Sequence, residues 1–85
     1  QRETGPEIEI GWAMHHAHWG KGYATESASA ALTYALGPVG ARRVIAFVGQ
    51  ANGASIGVAT KIGMMRAGEV DFYGQAHWLY ERLAQ

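Results

Sequence analysis

The stretch Trp19-Gly20-Lys21-Gly22-Tyr23-Ala24-Thr25-Glu26 decides how this chain reads, because its glycines stand between a strand pattern and a helix pattern. Upstream, Ile8, Ile10, Trp12 and Met14 alternate with Glu7, Glu9, Gly11 and Ala13, the period of two of a strand. His15 to Gly20 form a loop. Downstream, Ala24, Ala28, Ala31, Leu32 and Ala35 fall on one helical stripe from about Gly22 to Leu36. Alanine favours helix and lets it sit close to a sheet. The N-terminus of such a helix carries unpaired N–H groups and the positive end of the macrodipole. Glycines there allow the backbone to approach a pyrophosphate. The physical reading is an anion cradle made by the amides of Gly20 to Ala24, with Lys21 adding charge.

Beyond the helix, Gly37-Pro38 predicts its end, with glycine as left-handed cap. Val44 to Val48 is a short apolar run, which predicts a strand covered on both faces, as in a parallel sheet. Gly49 to Gly53 is a turn. Asn52 suits a helix N-cap, with Ser55 three residues on. Ile56, Ala59 and Ile62 mark a second short helix that Gly63 closes. Met64 to Phe72 and Ala76 to Leu83 read as two strands joined around Tyr73-Gly74-Gln75. The order is strand, helix, strand, helix, strand, strand. The expected class is α/β: a mixed sheet carrying two helices, with a parallel strand–helix–strand unit and a closing antiparallel hairpin.

Composition bounds the rest. At 85 residues the chain is one domain, burying roughly 60–65% of its unfolded surface. Seven basic residues balance seven acidic ones, so charge gives no reason to expect nucleic acid or an anionic membrane. Cysteine is absent, which excludes disulfides and thiolate metal sites. No apolar run approaches the length of a membrane span, and no segment resembles a signal peptide. A cytoplasmic location is the default expectation. Glycine, at 12 residues, is about twice the usual roughly 7%, consistent with tight turns or close backbone approach.

Among phosphate loops, a Walker A motif fails because Gly22 follows Lys21. A dinucleotide fingerprint fails because Thr25 stands at the third glycine and no acidic residue occurs between Glu26 and Glu69. The loop resembles that of the GNAT superfamily of N-acetyltransferases, whose pattern is Gln/Arg-x-x-Gly-x-Gly/Ala. Gly22 and Ala24 match it, and Trp19 replaces the first residue. The run Trp19 to Glu26 is similar to the branch that acetylates ribosomal-protein N-termini. Asn52-Gly-Ala-Ser55, Lys61-Ile-Gly63-Met64 and Glu9-Ile-Gly-Trp12 resemble that branch as well. The resemblance spans about residues 7–83 and makes the chain a partial GNAT domain, its cofactor-binding half.

The resemblance implies acetyl-CoA as co-substrate, no metal, and direct attack by a primary amine, from a protein N-terminus or a small molecule. Trp19, Gly20, Lys21, Gly22, Tyr23, Ala24 and Thr25 would hold the pyrophosphate. The backbone of Trp12, Ala13 and Met14 would bind pantetheine, and Asn52 would contact cofactor or hold its loop. An amide of Trp12 to Met14 could also stabilise the tetrahedral oxyanion. Glu9 is the expected base, with Glu7 second. The tyrosine that many members use as general acid is replaced by Ala59. Ser55 is the expected substitute, ahead of Tyr73 and Tyr80. The family's N-terminal arm of further strands and two helices, which forms much of the acceptor site, is absent from this sequence. The alternatives are a coenzyme A-binding module without turnover, or an inactive fragment or assembly subunit. An exposed sheet edge and uncovered apolar surface predict a homodimer or aggregation.

Plainer roles stand beside these. Gly20 and Gly22 can make a simple turn. Glu9 can be a solvated strand residue, Asn52 a structural cap and Ser55 a first-turn residue without chemistry. His15, His16 and His18 invite a metal reading, but no carboxylate completes a set of three or four ligands. Trp12 and Trp78 read as packing residues, and Arg42, Arg43, Lys61 and Arg66 as surface charges.

Overall fold

The computed structural model describes residues 5–12 and 23–84. Six elements follow in the expected order: β1 (Glu7–Glu9), α1 (Tyr23–Leu36), β2 (Arg43–Gly49), α2 (Gly53–Lys61), β3 (Met65–Phe72) and β4 (Gln75–Leu83). They build one four-stranded mixed sheet in the order β1-β2-β4-β3. β1 runs parallel to β2, with Ile8 opposite Val44. β4 inserts between β2 and β3 and is antiparallel to both.

The helices share one face of the sheet. Leu32 and Ala35 of α1 and Ala59 of α2 join Val44, Ala46, Val48 and Tyr80 in a single buried cluster. The expected α1 stripe holds: Ala28, Leu32 and Ala35 are buried. Ile8, Ile10, Trp12, Ile56, Ile62 and Trp78 pack around this core.

β2 departs from expectation, because only its alternate residues Val44, Ala46 and Val48 are buried. Among the described residues its apolar run is covered on one face, because both helices lie on the same side. Ile45 and Phe47 turn to the other, open face and are half-buried. Leu79 stands opposite Phe47 there, and Phe72 on β3 shares the face.

Two turns explain element ends. Gly63 closes α2 at φ 89, a left-handed residue with its N–H on the Thr60 carbonyl. The hairpin turn is Tyr73-Gly74, with φ of 51 and 80, the two positive values of a type I′ turn. The exit from α1 differs from the sequence expectation. Gly37 keeps a helical bond to Thr33 at 2.9 Å, and the left-handed residue is Gly40, at φ 75. The loop instead returns through bonds from Val39 to Tyr34 and from Ala41 to Ala35.

Candidate acetyl-CoA cleft

β1 is shorter than its alternating pattern. The pattern reaches Met14, but the ladder ends at Glu9, followed by one bond from Ile10 N to the Ile45 carbonyl at 2.9 Å. Gly11 and Trp12 are outside the ladder, whereas β2 runs on to Gly49. The two parallel strands therefore part, and a cleft of about 190 Å³ opens between them. Ile10, Gly11 and Trp12 line one side and Ala46 to Gly49 the other; Asn52 and Ser55 close the α2 end.

The edge of β2 that faces this cleft is polar backbone. Ile45 directs its carbonyl toward β1, and the strand period of two gives Phe47 the same direction. No described residue pairs with the Phe47 N–H or C=O. A strand amide without a partner is costly when desolvated, so this edge is suited to an extended ligand carrying its own amides.

Asn52 and Ser55 are placed by the start of α2. The Gly49–Asn52 turn is closed by a bond from Asn52 N to the Gly49 carbonyl at 2.9 Å. Asn52 Oδ1 accepts the Ser55 N–H at 3.1 Å, the expected N-cap. Ser55 is buried, yet its hydroxyl makes no hydrogen bond to the described residues and lines the cleft. Ala59 is fully buried in the core and is not part of the cleft wall.

The two acidic candidates diverge. Glu7 is held by Arg42 and Arg43 in ion pairs. Arg43 also donates from Nε to Glu81 at 2.8 Å. That hydrogen bond is the main reason its guanidinium is held above its ordinary value, with the charges of Glu81 and Glu7 adding to it and burial opposing. Glu9 is exposed and has no ion-pair partner among the described residues. It pairs in register with Ile45, on the open face, and stands just before the cleft rather than in its wall.

Tyr80 is buried and accepts from Arg66 at 3.4 Å, and Tyr73 is fully exposed at the hairpin tip. Neither lines the cleft. Arg66 is more than a surface charge: its guanidinium stacks 3.9 Å from the Trp78 ring centroid. Among the described residues, no three of His, Asp or Glu gather as a metal site. Ala13, Met14 and the loop residues Trp19, Gly20, Lys21 and Gly22 lie outside the described residues, as do His15, His16 and His18. Tyr23, Ala24 and Thr25 form the first turn of α1. Phe47 was not singled out by sequence; its signal was the alternation within β2 opposite the end of β1.

A family model for the acetyltransferase (GNAT) domain matches residues 1–65. The chain belongs to the GNAT acetyltransferase family. Over 82 residues it is 37% identical to the uncharacterized protein YkkB of Bacillus subtilis (strain 168), covering 96% of this chain and 48% of that one. The crystal structure of a GNAT-family acetyltransferase from Bacillus anthracis superposes with a TM-score of 0.82 at 31% identity, over 98% of this chain and 54% of that one. The ribosomal-protein-S5-alanine acetyltransferase of Vibrio fischeri shares the fold, with a TM-score of 0.84 at 18% identity over 91% of this chain and 45% of the other. This GNAT chain thus spans about half the length of the relatives it matches.

Proposed function

We propose that this chain is the acetyl-CoA-binding half of an N-acetyltransferase acting on a primary amine, with the cytosol as its place of action. The observation that carries the reading is the parting of β1 from β2 beside the backbone of Phe47, whose N–H and C=O pair with no described residue. Pantetheine carries two amides, and an extended arm in the cleft would pair with that strand edge. Its pyrophosphate would meet the N-terminus of α1, where the Trp19 to Thr25 segment supplies amides and Lys21 a positive charge.

The cleft is lined by residues from both faces of the sheet. Asn52 and Ser55 are on the helix side, and Phe47 faces the open side. An amine approaching from the open face would attack the thioester carbonyl, and the sulfur would leave toward α2. A thiolate needs a proton, since an ordinary thiol pKa is about 8.5. Ser55, with its hydroxyl free at that end, is the donor we assign. The proton released by the amine leaves on the open face.

A coenzyme A-binding module without turnover is the second reading, and the buried Ala59 in place of a tyrosine favours it. Acetyl transfer by the wild type and by Ser55→Ala separates the two. Turnover that falls at least tenfold in the variant, with acetyl-CoA binding unchanged, supports catalysis. Binding without turnover by the wild type, whichever amine is offered, supports the module.

A further inference from the structure

His77 is a titratable residue that the chemistry above leaves unused, and its position is unusual. On β4 it pairs in register with Gly49, the end of the cleft wall on β2. Paired strand residues have Cα atoms roughly 5 Å apart. The imidazole is half-buried on the open face. It packs edge-on against Phe72 at 5.0 Å, and Phe72 packs edge-on against Phe47 at 5.1 Å. Phe47 is itself cleft wall. The ring is therefore tied to the cleft through both backbone and aromatic contacts.

The tautomer of its neutral ring is set as well. His77 Nδ1 lies 2.9 Å from the Gln75 carbonyl oxygen. A carbonyl only accepts, so Nδ1 donates and the neutral ring keeps its lone pair on Nε2. An oriented imidazole whose Nε2 has no partner among the described residues can serve as a general base. Glu9 is at the opposite end of the cleft from Ser55, because its partner Ile45 lies four residues before Gly49. That is roughly 13 Å along the strand at about 3.3 Å per residue. Ser55 and Asn52 share the Gly49 end with His77.

We infer that His77 accepts the proton of the attacking amine, an inference that rests on the N-acetyl transfer proposed above. The amine nitrogen forms a bond to the thioester carbonyl carbon and its proton passes to His77 Nε2. The carbon–sulfur bond then breaks, and the thiolate takes a proton from Ser55. His77 returns its proton to water and Ser55 regains one from water, leaving amide and free thiol.

Among the described residues, the surroundings of His77 are nearly free of charge. Gly49 faces it from β2 and Val70 from β3, with Phe47 and Phe72 diagonal and Gln75 and Leu79 flanking on β4. Glu69 and Asp71 of β3 alternate to the other face, and Glu69 accepts from Gln50 at 2.8 Å. Glu9 on β1, with Arg43 and Glu81, lies farther along the open face.

The test is kcat/KM for acetyl transfer against pH, with acetyl-CoA affinity by calorimetry, for wild type, His77→Gln, His77→Ala and Glu9→Gln. His77→Gln is expected to lower kcat by about 100-fold or more, to abolish the acid limb of the profile, and to bind acetyl-CoA within about twofold of wild type. Added imidazole should restore part of the activity of His77→Ala, which a merely structural role would not allow. Glu9→Gln should keep the acid limb. A His77→Gln enzyme with the limb intact overturns the inference, as does loss of the limb in Glu9→Gln alone. A wild type that binds no acetyl-CoA overturns the functional reading itself, and this inference with it.

Discussion

Asn52 and Ser55 are joined by a hydrogen bond that leaves the serine's chemistry free: Asn52 Oδ1 accepts from the Ser55 backbone N–H at 3.1 Å, not from its hydroxyl. One residue caps the helix, and the cap holds the other at the cleft. The two side chains should therefore respond in opposite ways to truncation. Asn52→Ala loses an N-cap and should cost about 1 kcal/mol, a fall in Tm of roughly 4–8 °C for a domain of this size. Ser55→Ala keeps the capped N–H and removes a hydroxyl with no partner among the described residues. Its stability should stay within about 0.5 kcal/mol of wild type. Thermal denaturation of the two variants side by side checks this.

Tyr73 marks an avoidable strain. It is a non-glycine residue at positive φ, 51, with its side chain wholly in solvent. A type I′ turn prefers Asn-Gly, and Gly74 is already in place. Tyr73→Asn should stabilise the chain by about 0.5–1 kcal/mol, seen as a higher denaturant midpoint with an unchanged m-value.

Leu32 tests the single-faced core. It is 5% exposed, on α1, and packs in the one cluster that both helices share. Leu32→Ala should cost about 3 kcal/mol, a large share of the roughly 5–15 kcal/mol that a domain commands. Chemical denaturation followed by circular dichroism measures it. A cost below about 1 kcal/mol would mean that α1 does not bury this face.

The element order was legible because each signal was local. The α1 stripe, the Asn52 cap and the Tyr73-Gly74 turn depend on neighbours in sequence, and all three stand in the structure. What failed depends on partners far along the chain. Ile10 to Met14 carry a strand pattern, yet Gly11 and Trp12 leave the ladder, because no sequence period records where two strands part. Val44 to Val48 read as doubly covered, but an apolar run does not say whether two helices take one face or two. Arg43 looked like a lone surface charge until β4 brought Glu81 beside it. Gly37 read as the left-handed cap, and only the path of the loop puts that conformation at Gly40 instead. The turn from Phe72 to His77 stood out as a place for acceptor specificity, but His77 had no role of its own in sequence for the same reason, since its neighbour Gly49 is reached through a sheet pairing.

The most direct test of the central claim is calorimetric titration of the chain with acetyl-CoA, before and after Gly11→Phe. Gly11 lines the cleft, and a Cβ there meets nothing within 4 Å among the described residues, so a large side chain at this position is expected to crowd the cleft. The account predicts saturable 1:1 binding to the wild type, weakened at least tenfold in Gly11→Phe, with melting temperatures within a few degrees of each other. Gly22→Asp, which puts a negative charge in the proposed phosphate cradle, should abolish binding. A folded wild type that does not bind, or binding that Gly11→Phe leaves untouched, would contradict the claim that the parting of β1 and β2 is the cofactor site.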